Sequence, residues 1–323
     1  MITIESSNEP DQNWNKRLLE SKYGTIYQTK EIAKYFEKTI KYKNSYLNFL
    51  DQSGKIVGQL LLSEQDISQK NLIRNILSKI SSRNKNLYRW IYGPVIFDSE
   101  HAFNIIEQLF YYLKSKRGYV SGSEHPLSSG LFLNSKIPFK LKNWCTFLID
   151  LSLSKNELWD NLEKNSARKN IQRSINRNVI VKEITKNDLR TYHSILSETK
   201  KDTNHLTLEF SDLEIQWGFL HDIGFSGFLA WENESPLGGL AISHFNNYVN
   251  EWGVARTNRD KSQKFYSQDL IKWKIIEWGI EKKFHYYDLT GANPNPQNST
   301  EEGIFRYKQK WGGKMTPYNL VEF

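Results

Sequence analysis

A group of basic residues in the middle of the sequence has the spacing of one helical face. Lys169, Arg173 and Arg177 recur every four residues, and Arg168 begins the same cluster. Because side chains four residues apart are neighbours on an α-helix, these like charges repel one another by a few tenths of a kcal/mol per pair. Phosphate groups are natural partners for such a stripe. The spacing therefore indicates a phosphate-binding helix, with a solvated helix face as the alternative.

Two further places in the second half of the sequence carry candidate residues. Asp288 ends a predicted strand before Gly291 and a proline-rich loop, where its carboxylate could accept a proton or cap the following turn. Tyr248 and Trp252 lie on another predicted strand and are candidates for contact with a substrate, since an indole ring can stack on a base or a sugar. Most of the other tryptophans fit the hydrophobic core better.

The composition excludes several kinds of site and partner. The 323 residues include 44 Lys and Arg against 36 Asp and Glu, and the resulting net charge of +8 favours anionic partners. The single cysteine, Cys145, excludes an internal disulfide and a cysteine-based zinc cage, and the seven histidines show no ligand spacing, so we expect no metal. No signal peptide and no apolar run of about 18 residues is visible, so we expect a cytoplasmic protein.

The elements that must position these residues occur twice along the chain. In each half, helical sequence precedes a hairpin, and the hairpin is followed by a third strand, a long helix and a closing strand. The shared order predicts an α+β fold made by tandem duplication of one domain, with mixed, mainly antiparallel sheets flanked by helices. The predicted segments are hairpins at 46–62 and 226–243, third strands at 90–96 and 248–255, helices at 99–117 and 263–283, and closing strands at 118–123 and 285–289.

This order of elements resembles the GNAT fold of N-acyltransferases, and particular motifs resemble the FemABX family of peptidoglycan interpeptide-bridge enzymes. The resemblance covers residues 23–318 and includes the segments YQT at 27–29 and YGPV at 92–95. Its motifs in the second half are Leu158 and Trp159, Leu162, Arg168, Ile171 and Ser174, then YDLTG at 287–291 and YKQKWGG at 307–313. The resemblance implies two GNAT-like domains, which we place at residues 1–142 and 143–323.

The resemblance also implies roles for individual residues. Lys308 falls on the lysine of the family that is thought to stabilise the oxyanion as an amine attacks an aminoacyl ester, and Tyr307 would shape that pocket. Arg168 would hold a phosphate of the acceptor, and Lys34 is the candidate for a second phosphate contact in the first half. Gly291 would lie against the substrate.

The function that follows from the resemblance is aminoacyl transfer. The family moves an amino acid from aminoacyl-tRNA to an amine, so we expect the acceptor to be a phosphate-bearing, nucleotide- or lipid-linked cell-envelope precursor. We expect no cofactor, with aminoacyl-tRNA as the co-substrate. We also expect a monomer, and peripheral contact with a membrane is left open.

Two other functions stay as alternatives. The first is a GNAT-fold N-acyltransferase that uses another acyl donor on a sugar or polymer precursor. Acyl-CoA enzymes of this fold normally carry a glycine-rich turn after their fourth strand, where backbone amides bind pyrophosphate. Residues 255–264 contain no glycine, which counts against coenzyme A. The second alternative is a non-catalytic RNA-binding protein that keeps the duplicated fold.

Overall fold

The computed structural model describes residues 2–66, 86–116, 118–133, 137–202 and 208–323. The chain groups into two compact units, one made of Met1–Cys145 with Thr316–Phe323 and the other of Thr146–Met315. The division expected from the sequence, 1–142 and 143–323, differs from this grouping mainly at the carboxyl end, because the last residues pair with a strand of the first unit.

The first unit contains a mixed sheet with helices before and after its hairpin. Its sheet has the order β1-β2-β3-β4-β6, β5 pairs with β3, and all these pairs are antiparallel except β4 with β6. The elements are, in chain order, β1 (Thr3–Ser7), α1 (Trp14–Glu20), α2 (Lys30–Ile40), β2 (Lys43–Leu50), β3 (Ile56–Asp66), β4 (Asn86–Arg89), β5 (Val95–Ile96), α3 (Ala102–Ser115) and β6 (Tyr119–Ser123).

The second unit contains a sheet of the order β7-β12-β11-β10-β9-β8, in which β11 and β12 run parallel and the other neighbouring strands run antiparallel. The elements from this point of the chain are β7 (Lys140–Asp150), α4 (Lys155–Asn161), α5 (Lys169–Asn176), β8 (Val179–Glu183), α6 (Leu189–Asp202), α7 (Phe210–Leu220), β9 (Phe225–Glu232), β10 (Ser235–Phe245), β11 (Tyr248–Arg256), α8 (Asn258–Gln263), α9 (Ser267–Glu281), β12 (Tyr286–Asp288), α10 (Ser299–Gln309) and β13 (Lys314–Glu322). The end of β13 belongs to the first unit and pairs with β6.

The tandem duplication expected from the sequence is confirmed. The series β2, β3, β4, α3, β6 in the first unit matches the series β9, β10, β11, α9, β12 in the second. In both units the strand after the helix lies beside the third strand and runs parallel to it. The fold is therefore α+β, with two copies of one GNAT-like arrangement.

Helix α9 forms the centre of the hydrophobic core in the second unit. Leu270, Ile271, Ile275 and Ile276 are buried against the sheet, in a cluster that includes Leu240 of β10. Full burial of each such side chain contributes about 1.5–3 kcal/mol relative to an exposed one. The helix is thereby held against the sheet.

The structure differs from the sequence-based elements at three places. Residues 90–96 do not form one strand: β4 ends at Arg89, and Pro94, which has no N–H to donate to a ladder, lies in the turn before β5. The helix predicted at 263–283 begins four residues later, at Ser267, and ends at Glu281; Lys264 and Tyr266 before it adopt left-handed φ angles of 56° and 59° and separate it from α8. The three- to four-residue spacing of Phe103, Ile106, Phe110 and Leu113 predicts that they share the buried face of α3, but Phe103 is 45% exposed.

Helix α10 carries the YKQ of the YKQKWGG motif and was not predicted as a helix. Asn298 caps its amino end by accepting a hydrogen bond from the amide of Glu301 at 2.9 Å. After its carboxyl end Gly312 has φ of 70°, and a Cβ added there would lie 2.3 Å from the main-chain oxygen of Asn161. The chain after α10 therefore leaves along a path that only glycine can follow.

We expect Gly312→Ala to lower the free energy of unfolding by about 2–4 kcal/mol, because a side chain at positive φ would also clash with backbone. Gly303→Ala is the matched control, since Gly303 lies inside α10 and a Cβ there meets nothing within 4 Å. Alanine favours a helix, so this variant should gain up to about 1 kcal/mol. Denaturant unfolding of both variants measures the difference, and equal stabilities would contradict the assignment.

Candidate active site

The ammonium group of Lys308 is held at the turn that follows β12. Its Nζ donates to the main-chain oxygens of Thr290, at 3.0 Å, and Gly291, at 2.8 Å, and lies 3.3 Å from Oγ1 of Thr290. An ammonium has three N–H donors, and these three acceptors lie on two successive residues. Lys308 is half-buried in the last turn of α10, so the structure brings the two motifs YDLTG and YKQKWGG together.

The turn at Thr290 has a backbone conformation that few residues adopt. Thr290 has φ of 62°, and among the described non-glycine residues with positive φ it alone is β-branched. Such a conformation costs about 1–3 kcal/mol and persists only where the surroundings fix it. Asp288 fixes it from one side by accepting from the amide of Thr290 at 2.7 Å, and Lys308 fixes it from the other. The result is that the carbonyls of residues 290 and 291 both face the ammonium.

Asp288 is the anchor of this turn and does not lie where it could take a proton from a substrate. Its carboxylate is fully buried and accepts hydrogen bonds from the hydroxyl of Tyr248 at 2.8 Å, from Nδ2 of Asn250 at 3.0 Å and from the hydroxyl of Thr146. With the amide of Thr290, that makes donors from β7, β11 and the turn itself. The turn-capping contact expected from the sequence is thus present.

Tyr248 does not line a groove, in contrast to the sequence-based expectation. Its side chain is buried at 3% exposure and its hydroxyl is donated to Asp288. Trp252 is half-buried, and its ring packs edge to face against Phe225 with 5.6 Å between centroids. On a regular strand, residues an even number apart have their side chains on the same face. Tyr248 and Trp252 differ in their surroundings because the ladder between β10 and β11 shifts its register between them.

Two buried ion pairs lie beside Tyr307 and Lys308. Lys272 of α9, 1% exposed, pairs with Glu251 of β11, whose carboxylate also accepts from the hydroxyl of Tyr287 at 2.8 Å. Lys310 pairs with Asp269 in the first turn of α9. Buried charges are costly unless they are paired, so the Lys310–Asp269 pair ties the end of α10 to α9 and the Lys272–Glu251 pair ties α9 to β11.

The pKa values of this cluster follow from burial and from the density of cations. Burial, together with the neighbouring ammonium groups of Lys308 and Lys310, lowers the pKa of Lys272 well below its ordinary value. Burial raises the pKa of Asp269, and the charge of Lys310 opposes that change. The cations thus crowd one another, and the site favours a negative charge brought close to them.

Tyr307 lies between two of these ammonium groups. Its ring centre is 4.3 Å from Nζ of Lys310 and 5.5 Å from Nζ of Lys272. Burial raises the pKa of the Tyr307 phenol well above its usual range, and the negative charge of Asp269 adds to this effect. The phenol therefore stays protonated, and the pocket-shaping role of Tyr307 stays a prediction.

The predicted phosphate-binding residues lie on different elements of the fold. Arg168 ends a π-helical turn, Lys164–Arg168, and donates Nε to the oxygen of Leu162 at 3.0 Å and Nη1 to Asp160 at 3.2 Å. Its guanidinium thus braces the connection between α4 and α5. Lys169 and Arg173 are exposed on α5, on one helical face as predicted. Lys34 is exposed on α2 and belongs to the first unit.

The sequence alone predicts no role for five residues of this site, namely Lys272, Glu251, Asp269, Lys310 and Thr290. One signal for Lys272 exists: it follows Leu270 and Ile271 and precedes Ile275 by three positions, so it falls on the apolar side of its helix. A lysine in that setting is rarely buried unless it is paired. The acids that pair with it and with Lys310 come from other elements, and local spacing does not reveal them.

The turn between β11 and α8 offers few free backbone amides for a pyrophosphate. The amide of Thr257 donates to the oxygen of Leu237 at 3.0 Å, and the amide of Asp260 donates to Oγ1 of Thr257 at 3.1 Å. The amide of Asn258 donates to the carboxylate of Glu198 at 2.7 Å, so an acidic side chain occupies an anion position. The turn has no glycine and presents its amides to the protein's own acceptors.

Two further classes of feature do not occur in the part of the chain that the structure describes. No described helix is both long enough and apolar enough to span a bilayer. Over the same residues, no cluster of three or more His, Cys, Asp or Glu side chains could hold a metal ion.

Comparison with known proteins gives matches in structure only. Neither a protein-family model nor a curated protein sequence matches the chain. A crystal structure of FemX matches with a TM-score of 0.74 and 13% identity, over 98% of this chain and 96% of that one. L-PGS from Bacillus licheniformis matches with a TM-score of 0.60 and 10% identity, over 98% and 92%.

A tandem GNAT protein from the clavulanic acid biosynthesis pathway matches with a TM-score of 0.53 and 9% identity, over 100% of this chain and 97% of that chain. All three likenesses extend over nearly the whole of both chains. The chain therefore has the FemX-like fold of two consecutive GNAT-like units, as the FemABX resemblance implied.

Proposed function

We propose that this protein is an aminoacyltransferase that moves an amino acid from aminoacyl-tRNA to an amine of a nucleotide- or lipid-linked cell-envelope precursor. The observation that carries the proposal is the ammonium of Lys308, fixed by the carbonyls of Thr290 and Gly291 at the end of a buried cluster of cations. A cation with a fixed position at the end of such a cluster can stabilise the negative charge of an oxyanion that develops during a reaction.

In the proposed reaction the acceptor amine attacks the carbonyl carbon of the aminoacyl ester. A C–N bond forms, and the carbonyl oxygen takes up negative charge in a tetrahedral intermediate, next to the ammonium of Lys308. The C–O bond to the ribose then breaks as the carbonyl re-forms. The proton lost by the amine ends on the ribose hydroxyl through water or substrate, since Asp288 is buried and occupied.

The buried ion pairs contribute by fixing the position of Lys308 before the substrate binds. Lys310, two residues further along the chain, is tied to Asp269, and the ring of Tyr307 lies between Lys310 and Lys272. Charges that are already in place need no reorganisation when the oxyanion forms, and they act strongly where water is excluded.

Two structural likenesses support the choice of donor and acceptor class. FemX shares the fold, and FemABX enzymes use aminoacyl-tRNA. The carboxyl-terminal domain of a putative lysylphosphatidylglycerol synthetase from Agrobacterium fabrum also matches, with a TM-score of 0.56 and 11% identity, over 95% of this chain and 92% of that chain. The name of that protein combines an amino acid with a membrane lipid, which fits an aminoacyl group moved onto a cell-envelope molecule.

The contacts with the acceptor stay predictions. Arg168 and Lys34 are the residues expected to meet its phosphate groups, and Trp252 is the expected ring contact. The side chain of Arg168 is 27% exposed and all three of its guanidinium nitrogens donate to Leu162 or Asp160, so a phosphate would have to share or displace these contacts. A cytoplasmic location, a monomeric state and contact with a membrane are equally predictions.

An N-acyltransferase that uses acyl-CoA is the second candidate. The likeness to a tandem GNAT protein favours it. The turn after β11 counts against an acyl-CoA enzyme. A pyrophosphate would have to displace the acceptors that already bind the amides of Thr257, Asn258 and Asp260, among them the carboxylate of Glu198.

We expect Lys308→Met to lower kcat of aminoacyl transfer about 100- to 1,000-fold with little change in KM, because only the transition state carries the oxyanion. The measurement is transfer of a radiolabelled amino acid from charged tRNA to a precursor amine. Arg306→Met is the matched control: Arg306 is an exposed cation on the same helix, and its loss should leave kcat unchanged. Full activity of Lys308→Met would overturn the assigned role.

We expect titration calorimetry with acetyl-CoA to give no saturable heat at ligand concentrations up to the millimolar range, because the amides after β11 are already engaged. Glu198→Gln provides a second reading, since it removes the carboxylate charge beside Asn258 and should strengthen any residual phosphate binding. Micromolar binding by the unaltered protein would favour the acyl-CoA enzyme.

A further inference from the structure

We propose that Arg173, Arg177 and Arg259, around Phe265 and Tyr266, form a docking surface for the phosphate backbone of the RNA donor. The proposal rests on the proposed function and deepens it, because it says where on the second unit the tRNA would bind. We call these five residues the arginine–aromatic surface. They come from α5 and the residue that follows it, from α8, and from the connection between α8 and α9.

The geometry of this surface is a set of guanidinium groups gathered on two adjacent rings. Cζ of Arg173 lies 5.5 Å from the ring centre of Tyr266, and its Nη1 donates to the Tyr266 hydroxyl at 3.2 Å. Cζ of Arg177 and Cζ of Arg259 both lie 5.1 Å from the ring centre of Phe265. A guanidinium that stacks on a ring can keep its N–H edge available for a phosphate, and Arg173 and Arg177 are exposed. Arg259 donates Nη2 to Glu232 and its Nη1 is buried, so it contributes charge to the surface and not a direct contact.

The charges on this surface are only partly balanced by acids among the described residues. Arg259 pairs with Glu232 at 2.6 Å. Arg177 donates instead to a main-chain oxygen, that of Gln263, and Arg173 donates to a neutral phenol. Lys169 and Lys264 add exposed positive charge at the two ends. Cations held together in this way repel one another, and an anion bound across them would relieve the repulsion.

The shape of the positive region favours a polymer over a single phosphate group. Lys169 and Arg173 lie on α5 and Arg177 follows its last residue, and four residues of helix rise about 6 Å. The cations therefore form a track of several positions. Tyr266 is half-exposed at the middle of this track, where a phenol ring offers a stacking surface for an unpaired base.

The track leads to the catalytic cluster through the first turn of α9. Tyr266 stands immediately before this helix, and Asp269, in its first turn, pairs with Lys310. Lys310 is two residues from Lys308 on the chain. An RNA strand that lies along the arginine–aromatic surface would therefore bring its acylated end toward Lys308.

The test is tRNA binding by the full chain as a function of salt. The double variant R173Q/R177Q should bind uncharged tRNA at least about tenfold more weakly at low salt, and the slope of log K against log salt should fall by about 1.4, two contacts at about 0.7 each. The control K282Q/K283Q removes two exposed lysines just beyond the far end of α9 and should bind as the unaltered protein does. R173K/R177K keeps the charges and should retain most of the slope.

The outcomes separate this proposal from the proposed function. An unaltered affinity and slope in R173Q/R177Q, with a folded protein by circular dichroism, would overturn the surface even if Lys308→Met abolishes transfer. Weakened tRNA binding in R173Q/R177Q, without transfer activity in the unaltered protein, would support the surface and contradict the function. Coenzyme A is the second probe: binding of coenzyme A that depends on these arginines, with no effect on tRNA, would overturn the choice of RNA.

Discussion

The position of Lys308 depends on the buried carboxylate of Asp288. That carboxylate accepts hydrogen bonds from Thr146 of β7 and from Tyr248 and Asn250 of β11, and it holds the amide of Thr290 at an unusual φ. The neighbouring strands of β12 are thus tied to the turn that follows it. Without this acceptor, several buried donors would lose their partner, at about 1–3 kcal/mol each, and the two carbonyls that face the ammonium would be free to turn away.

Several positively charged side chains of the second unit lie around this turn, and acidic side chains balance only part of their charge. Glu251 and Asp269 pair with Lys272 and Lys310, while the ammonium of Lys308 is held by main-chain oxygens. Such an arrangement is stable without substrate, yet it stabilises added negative charge. An oxyanion at Lys308 and a phosphate backbone along α5 would both bring negative charge to this positive unit. The proposed reaction and the proposed polyanionic donor therefore depend on the same excess of positive charge.

The sequence predicted the duplicated order of elements because apolar periodicity and turn residues are local signals. The same logic placed Lys169, Arg173 and Arg177 on one helical face. It could not find α10, whose apolar positions are few, or the start of α9 at Ser267, which follows left-handed backbone at Lys264 and Tyr266 without glycine or asparagine. The ion pairs of Lys272 and Lys310 join elements distant in the sequence. Asp288 is buried among hydrogen-bond donors that come from three different segments. Only the packed structure shows them.

The central claim is that Lys308 stabilises the tetrahedral oxyanion, and the most direct measurement is the affinity for an analogue of that intermediate. An aminoacyl-adenosine analogue in which a phosphonate replaces the ester carbonyl should bind the unaltered protein at least about 100-fold more tightly than the corresponding amide. In Lys308→Met the two affinities should become nearly equal. If the preference for the phosphonate is as large in Lys308→Met as in the unaltered protein, the oxyanion is stabilised elsewhere and the role assigned to Lys308 is wrong.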